Sequence, residues 1–217
     1  MADFTLDDLI DSYRNGIFPM SDARDDDYLF LVDPPKRGIL PLEAFHIPSR
    51  LRRTVRSTPF EVRVDTAFTQ VIELCAESAN DRPNTWISHP IQSLYQALFA
   101  RGLAHSIEVW HNNRLVGGLY GVSIGGAFFG ESMASRATDA SKIALVHLVA
   151  RLKSGGYRLL DCQFQTDHLK QFGTVEIDRA DYHTRLKQAL TIEADFYDLP
   201  ARTDGRTALK VLEHASF

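Results

Sequence analysis

Apolar positions along the chain recur with two periods, and their alternation outlines an α+β fold. Residues 5–15 carry apolar side chains at helical spacing behind Thr5, with Asp7 and Asp8 in the first turn and Gly16 after the last, which predicts a short capped helix. "GIFPMSDARDDDY" then breaks regular structure. "LVDPPKRGILPLEAFHIP" is punctuated by proline, with a strand-like Gly38–Leu42 inside it. This stretch is the expected boundary between a small N-terminal domain, residues 1–40, and a larger domain, residues 41–217. Beyond it come a basic segment "SRLRRTVRS", a strand "FEVRVDTA", a helix "AFTQVIELCAES", a loop "ANDRPNTW" and a helix "HPIQSLYQALFARG". Three strands follow, "HSIEVWHN", "RLVGGLYGVSIG" and "AFFGESM", then a helix "SKIALVHLVARLKSGG", a strand "YRLLDCQF" and a helix near "TDHLKQFG". An antiparallel meander interrupted by helices and closed by a strand–helix–strand unit is an α+β pattern. No internal repeat or low-complexity tract intrudes.

Composition narrows the function. With 217 residues, 44% of them hydrophobic, the chain has enough apolar side chains for a real core. Lys and Arg number 24 against 28 Asp and Glu, so no global positive field recruits nucleic acid, and any RNA contact requires a local basic patch. Arg50, Arg52, Arg53 and Arg56 supply one; on a helix 52 shares a face with 56, and 50 with 53. The plainer reading of such a run is a solvated helix face. Cys75 and Cys162 stand far apart without metal-ligand spacing, and no apolar run reaches the roughly 20 residues of a membrane span. The acidic, helix-like start is unlike a signal peptide. The expectation is a cytoplasmic protein with no metal and no membrane partner.

The chemistry gathers at the ends of two strands. Alternation in "YRLLDCQF" places Tyr157, Leu159, Asp161 and Gln163 on one face, which sets Asp161 and Gln163 side by side at roughly 7 Å. In "AFFGES", Ala127, Phe129 and Glu131 share a face. Polar residues at the ends of strands often do no more than cap loops or meet solvent. Here one crossover helix separates the two strands, so they can be neighbours, and their convergence points to a cleft.

The element order also matches an N-acetyltransferase-like (GNAT) fold, whose acyl-CoA enzymes need a glycine-bearing loop so that backbone N–H groups approach a pyrophosphate. That slot reads "SRATDASK", with no glycine, so acyl-CoA N-acetyl transfer stays only an alternative. A non-catalytic RNA-binding module is another; it would need Arg50 to Arg56 and tolerate loss of Asp161 and Gln163.

Nine strings, "GIFPM", "RGILPL", "TWI", "LAHSIEVW", "LVGGLYGVSIG", "FFGESM", "DASKIAL", "LLDCQF" and "HLKQFG", together resemble the leucyl/phenylalanyl-tRNA–protein transferase family, in the same order over nearly the whole chain. The resemblance implies a small N-terminal domain joined to a GNAT-like domain. It also implies transfer of Leu or Phe, less readily Met, from aminoacyl-tRNA to proteins beginning with Arg or Lys, which marks them for N-end-rule degradation. No cofactor is implied. Carried onto this sequence, Asp161 and Gln163 become the catalytic pair and Glu131 the holder of the aminoacyl amine. Leu119, Phe128, Gly130, Met133, Leu145, Leu148 and Leu160 become the wall of the aminoacyl pocket, positions that singly read as plain core. Trp86 becomes the platform for the terminal adenosine, and the arginines meet tRNA phosphates. Met20, Leu31 and Val32 stand where the family often has Trp, and Ala134 replaces a usual Phe. Met20 is left as the cover for a base.

Overall fold

Thr5 opens the first helix as its sequence requires. Its Oγ1 accepts from the Asp8 backbone N–H at 3.2 Å, and the Asp8 carboxylate accepts from the Thr5 N–H at 2.9 Å, a reciprocal cap that stabilises the helix end by about 1 kcal/mol. The computed structural model describes residues 4–77 and 84–214. Helix α1 (Leu6–Arg14) buries Leu9, Ile10 and Tyr13. Strands β1 (Phe18–Met20) and β2 (Phe30–Val32) form a separate two-stranded ribbon. Strand β3 (Lys36–Ile39) stops short of the expected Leu42 because Pro41 has no N–H for a ladder, and a 3-10 turn, Leu42–Ala44, follows.

Helix α2 (Ser49–Ser57) is the basic segment, anchored by buried Leu51 and Val55. Then come β4 (Glu61–Val64), α3 (Phe68–Ala76) and α4 (His89–Ala100). Of the loop expected over 79–86, residues 79–83 lie outside the described residues, as does Ser78 at the end of the helix expected over 67–78. The meander is β5 (Ala104–His111), β6 (Arg114–Ile124) and β7 (Ala127–Ser135), and the crossover is α5 (Ala140–Ser154) into β8 (Leu159–Gln163). After α6 (Asp167–Lys170), the chain adds β9 (Val175–Asp178), α7 (Arg179–Ala189) and α8 (Gly205–His214). None of these three is among the expected elements; β9 exposes three of its four residues and α7 is polar around most of its surface, so neither carries a clear period.

The seven strands of the main sheet run in the order β4-β5-β6-β7-β8-β3-β9. Among the described residues only β7 and β8 pair in parallel, through Ala127 to Phe129 against Leu159 to Asp161, and the pairing ends there. Beyond it β8 turns to β3, with Ile39 opposite Asp161 and Gly38 opposite Gln163. The strand at residues 36–39 is therefore built into the large sheet although it precedes residue 41. Neighbours along each strand enter different cores. Phe129 and Tyr120 join residues of α1, α3 and α4, whereas Phe128 and Leu119 join α2, α5 and α8. Helix α5 is buried almost all round, as expected of a crossover held between a sheet and an outer layer. Among the described residues, no helix is long and apolar enough to cross a membrane.

Candidate active site

Glu131 faces inward because β7 carries one residue too many. Tyr120 lies opposite Ser132 and Gly121 opposite Gly130, so Glu131 is the unpaired residue of a bulge, and bulges re-aim a side chain. Gly121 is required beside it: a Cβ there would stand 2.3 Å from the Phe129 carbonyl oxygen and 2.4 Å from the Phe128 ring. Glu131 is 8% exposed. It accepts from the Tyr13 hydroxyl at 2.6 Å, the Tyr95 hydroxyl at 2.8 Å and the Gln163 Nε2 at 3.0 Å. Burial pushes its pKa up to about 7 despite the three donors, so near neutrality it exchanges a proton readily.

Gln163 reaches Glu131 through a backbone reversal. Its φ is +61°, and the Phe164 N–H donates to the Cys162 carbonyl at 2.7 Å, a tight three-residue turn that a non-glycine residue adopts only under strain. Asp161 holds this turn, its Oδ1 accepting the Gln163 backbone N–H at 2.8 Å. The same carboxylate, fully buried, receives Arg37 Nε at 2.9 Å, Arg37 Nη2 at 2.6 Å and the Tyr182 hydroxyl at 2.6 Å. Arg37 is 1% exposed and lies between the rings of Phe18 and Tyr182, at 4.5 and 4.4 Å, with Nη1 donating to the Gly16 carbonyl. Burial would lower its pKa, but the adjacent Asp161 carboxylate outweighs that and keeps the guanidinium charged. The end of α1, strands β1, β3 and β8 and helix α7 thus meet at one ion pair.

Where β7 and β8 stop pairing, a cavity of about 300 Å³ opens. Leu119, Gly130, Met133, Leu145, Leu148 and Leu160 line it, joined by Trp86, Glu131 and Gln163. Of the expected wall, Phe128 is not among the lining residues; its ring packs instead against Tyr157 and Phe196. Asp161 is not there either, and reaches the cavity only through Gln163. Met20 lies in the ribbon opposite Phe30, and half-exposed Leu31 pairs with Pro19. Ala134 sits opposite Gly118 against the first core. The basic helix keeps Arg50, Arg53 and Arg56 exposed, while Arg52 pairs with Glu213 of α8 at 2.5 Å.

Sequence reasoning missed Tyr13, Arg37, Tyr95 and Tyr182, and gave His168 no role although it lines the cavity with Phe164 and Thr166. Tyr13 and Tyr95 fall on the buried stripes of their helices and read as core. Arg37 is a single charge beside apolar "GIL", and nothing local marks it as buried.

A family model described as leucyl/phenylalanyl-tRNA protein transferase matches residues 39–187, and one described as the N-terminal domain of that transferase matches residues 2–35. A leucyl/phenylalanyl-tRNA–protein transferase of Caulobacter vibrioides (strain NA1000 / CB15N) is 64% identical over 213 residues, covering 98% of each chain. Those of Phenylobacterium zucineum (strain HLK1) and Maricaulis maris (strain MCS10) are 58% and 50% identical, each over the full length of both chains.

Proposed function

Because the chain belongs to the leucyl/phenylalanyl-tRNA–protein transferase family, we propose that its cavity takes the Leu or Phe, less readily the Met, of an aminoacyl-tRNA and passes it to the α-amine of proteins beginning with Arg or Lys. The product would carry a destabilising N-terminus for N-end-rule degradation in the cytoplasm. The observation that carries this reading is a cavity apolar on its walls and ending on Glu131 and Gln163. A long, flexible apolar side chain gains burial against Leu145, Leu148, Leu160 and Met133, and a small or charged one gains little.

The ester linking amino acid to tRNA is already activated, so the enzyme has to orient the reactants and handle one proton. In its ionised form Glu131 holds the ammonium of the bound aminoacyl group. Gln163 commits Nε2 to Glu131, which leaves Oε1 to accept a hydrogen bond from the incoming α-amine. With a pKa near 8, that amine is partly neutral at cytoplasmic pH. Its nitrogen bonds to the ester carbonyl carbon, the bond from that carbon to the ribose oxygen breaks, and the proton lost by nitrogen ends on the ribose oxygen. Holding the nucleophile in line is worth orders of magnitude in rate. Asp161, out of contact with the cavity, acts through the Gln163 turn and is a positioning residue.

The N-terminal 40 residues, read as a small domain, supply Tyr13 and Arg37. We read the remainder as GNAT-like, supported by the parallel β7–β8 pair whose ladder ends beside the cavity. Trp86 serves as the stacking face for the terminal adenosine, with Met20 set back in the ribbon, and Arg50, Arg52, Arg53 and Arg56 serve the tRNA backbone. The test is incubation with labelled Leu-tRNA and peptides beginning with Arg or Gly. Label is expected on the Arg peptide alone, and equal labelling would remove the reading.

A further inference from the structure

Helix α5 lines a second cavity on its other side. His147 lies about 200° around the helix from Leu145 and contributes to a space of about 320 Å³ between α2 and the start of α8. His147 is 5% exposed, and its Nε2 has no hydrogen-bond partner. Burial, and after it the Arg151 charge, bring its pKa down to about 4, so the ring is neutral. A neutral imidazole with an unsatisfied buried nitrogen is costly unless a ligand or a water completes it.

The rest of the lining says what kind of ligand. Arg56 comes from α2, and Arg202 and Arg206 flank the beginning of α8. Neither Arg56 nor Arg206 has a salt bridge among the described residues. Two carboxylates also line the space, and both are already engaged. Glu61 meets Arg63 at 2.6 Å and Arg202 at 3.3 Å, and Asp204 caps α8 by accepting the Thr207 N–H at 2.7 Å. Thr58 and Thr203 also line the space, the Thr203 hydroxyl donating to the Pro200 carbonyl and the Thr58 hydroxyl accepting from the Phe60 N–H. Two guanidiniums with no carboxylate partner, a third shared with Glu61, and an unpartnered imidazole suit a small oxyanion and repel a metal cation.

We propose that this notch between α2 and α8 binds a phosphate group. Such a phosphate comes either from an RNA backbone or from free inorganic phosphate. Only the first source rests on the aminoacyl-tRNA reading, and it would extend the basic surface of α2 onto α8.

The test follows the His147 ring by proton–nitrogen NMR in the full chain, assigned by loss of its signal in His147→Gln. Inorganic phosphate is titrated first, then a short RNA duplex with no aminoacyl end. A saturable shift is expected, abolished in Arg202→Ala with Arg206→Ala, a variant checked for an unchanged melting temperature. If the source is RNA, the duplex shifts the same signal, and the variant binds full-length tRNA about tenfold more weakly, the loss of one charge-assisted contact. Its salt slope also flattens by about 0.7–0.9 for one phosphate. Saturation by inorganic phosphate with no effect of the duplex assigns the site to the free ion. A ring signal that neither probe moves, or that moves equally in the arginine variant, overturns the proposal. Because the readout needs no turnover, it stands or falls separately from the transfer assay.

Discussion

Replacing Arg37 by Met tests whether the buried ion pair supports the Gln163 turn. The substitution keeps an unbranched stem that ends at about the position of Nε and removes Nε, Cζ, Nη1 and Nη2. Asp161 would retain the Tyr182 hydroxyl and the Gln163 N–H and lose its counter-charge while remaining fully buried. Breaking a buried pair from one side costs about 3–5 kcal/mol. Asp161→Asn should cost a similar amount by leaving Arg37 unpaired. Against a typical total stability of about 5–15 kcal/mol, each single variant is strongly weakened. With a urea slope of about 2 kcal/mol per M, the unfolding midpoint falls by about 1.5–2.5 M. The double variant has no stranded charge, so its cost should lie well below the sum, with a coupling of about 2–3 kcal/mol, the upper part of the range for contacting residues. Turnover behaves differently: each of the three variants removes the counter-charge or the carboxylate that steadies the Gln163 turn, and each should lose about 10²-fold or more in kcat. Tyr182→Phe removes one hydrogen bond from the same carboxylate, should leave the fold intact, and should lower kcat by a smaller factor while KM for aminoacyl-tRNA holds. Simple additivity of the two stability losses, or normal turnover in Tyr182→Phe and Asp161→Asn, would refute this account.

Two further outcomes follow from the cavity. The raised Glu131 pKa means that the folded state binds a proton the unfolded chain releases above pH 4.5; its contribution is present at low pH and is lost as pH rises through 7, about 3 kcal/mol in all. The parent should therefore lose about that much more stability than Glu131→Gln between pH 4.5 and 8. Turnover of the parent should rise through pH 7, and Tyr13→Phe should move that limb upward, because one donor to the carboxylate is gone; an unmoved limb would place the titration elsewhere. Leu148→Ala, at a wall position with 1% exposure, should cost about 2–5 kcal/mol and shift donor preference from Leu toward Phe, measured as the ratio of kcat/KM values. A lower stability with an unchanged ratio would mean that Leu148 serves the core alone.

The sequence by itself determined most elements, the α+β class and the residues at the end of β8, because local periods, caps and prolines act over a few residues and need no partner. Two strand ends joined by a crossover helix must lie near each other, which brings Glu131 and Gln163 together, and six of the seven wall residues that the family resemblance implies line the same cavity. Alternation could not decide which way those ends face. Glu131 turns inward through a bulge defined only by the register of β6, and Gln163 through a left-handed residue that breaks the period. Phe128 shows the same limit: it belongs to the apolar run but packs on Phe196, nearly 70 residues later. Arg37 is the clearest case. It precedes Asp161 by 124 residues, and its partner, its burial and its two aromatic faces exist only once five elements have converged. A lone charge is affordable inside a protein only when its complement arrives from elsewhere in the chain, and that complement is a property of tertiary structure.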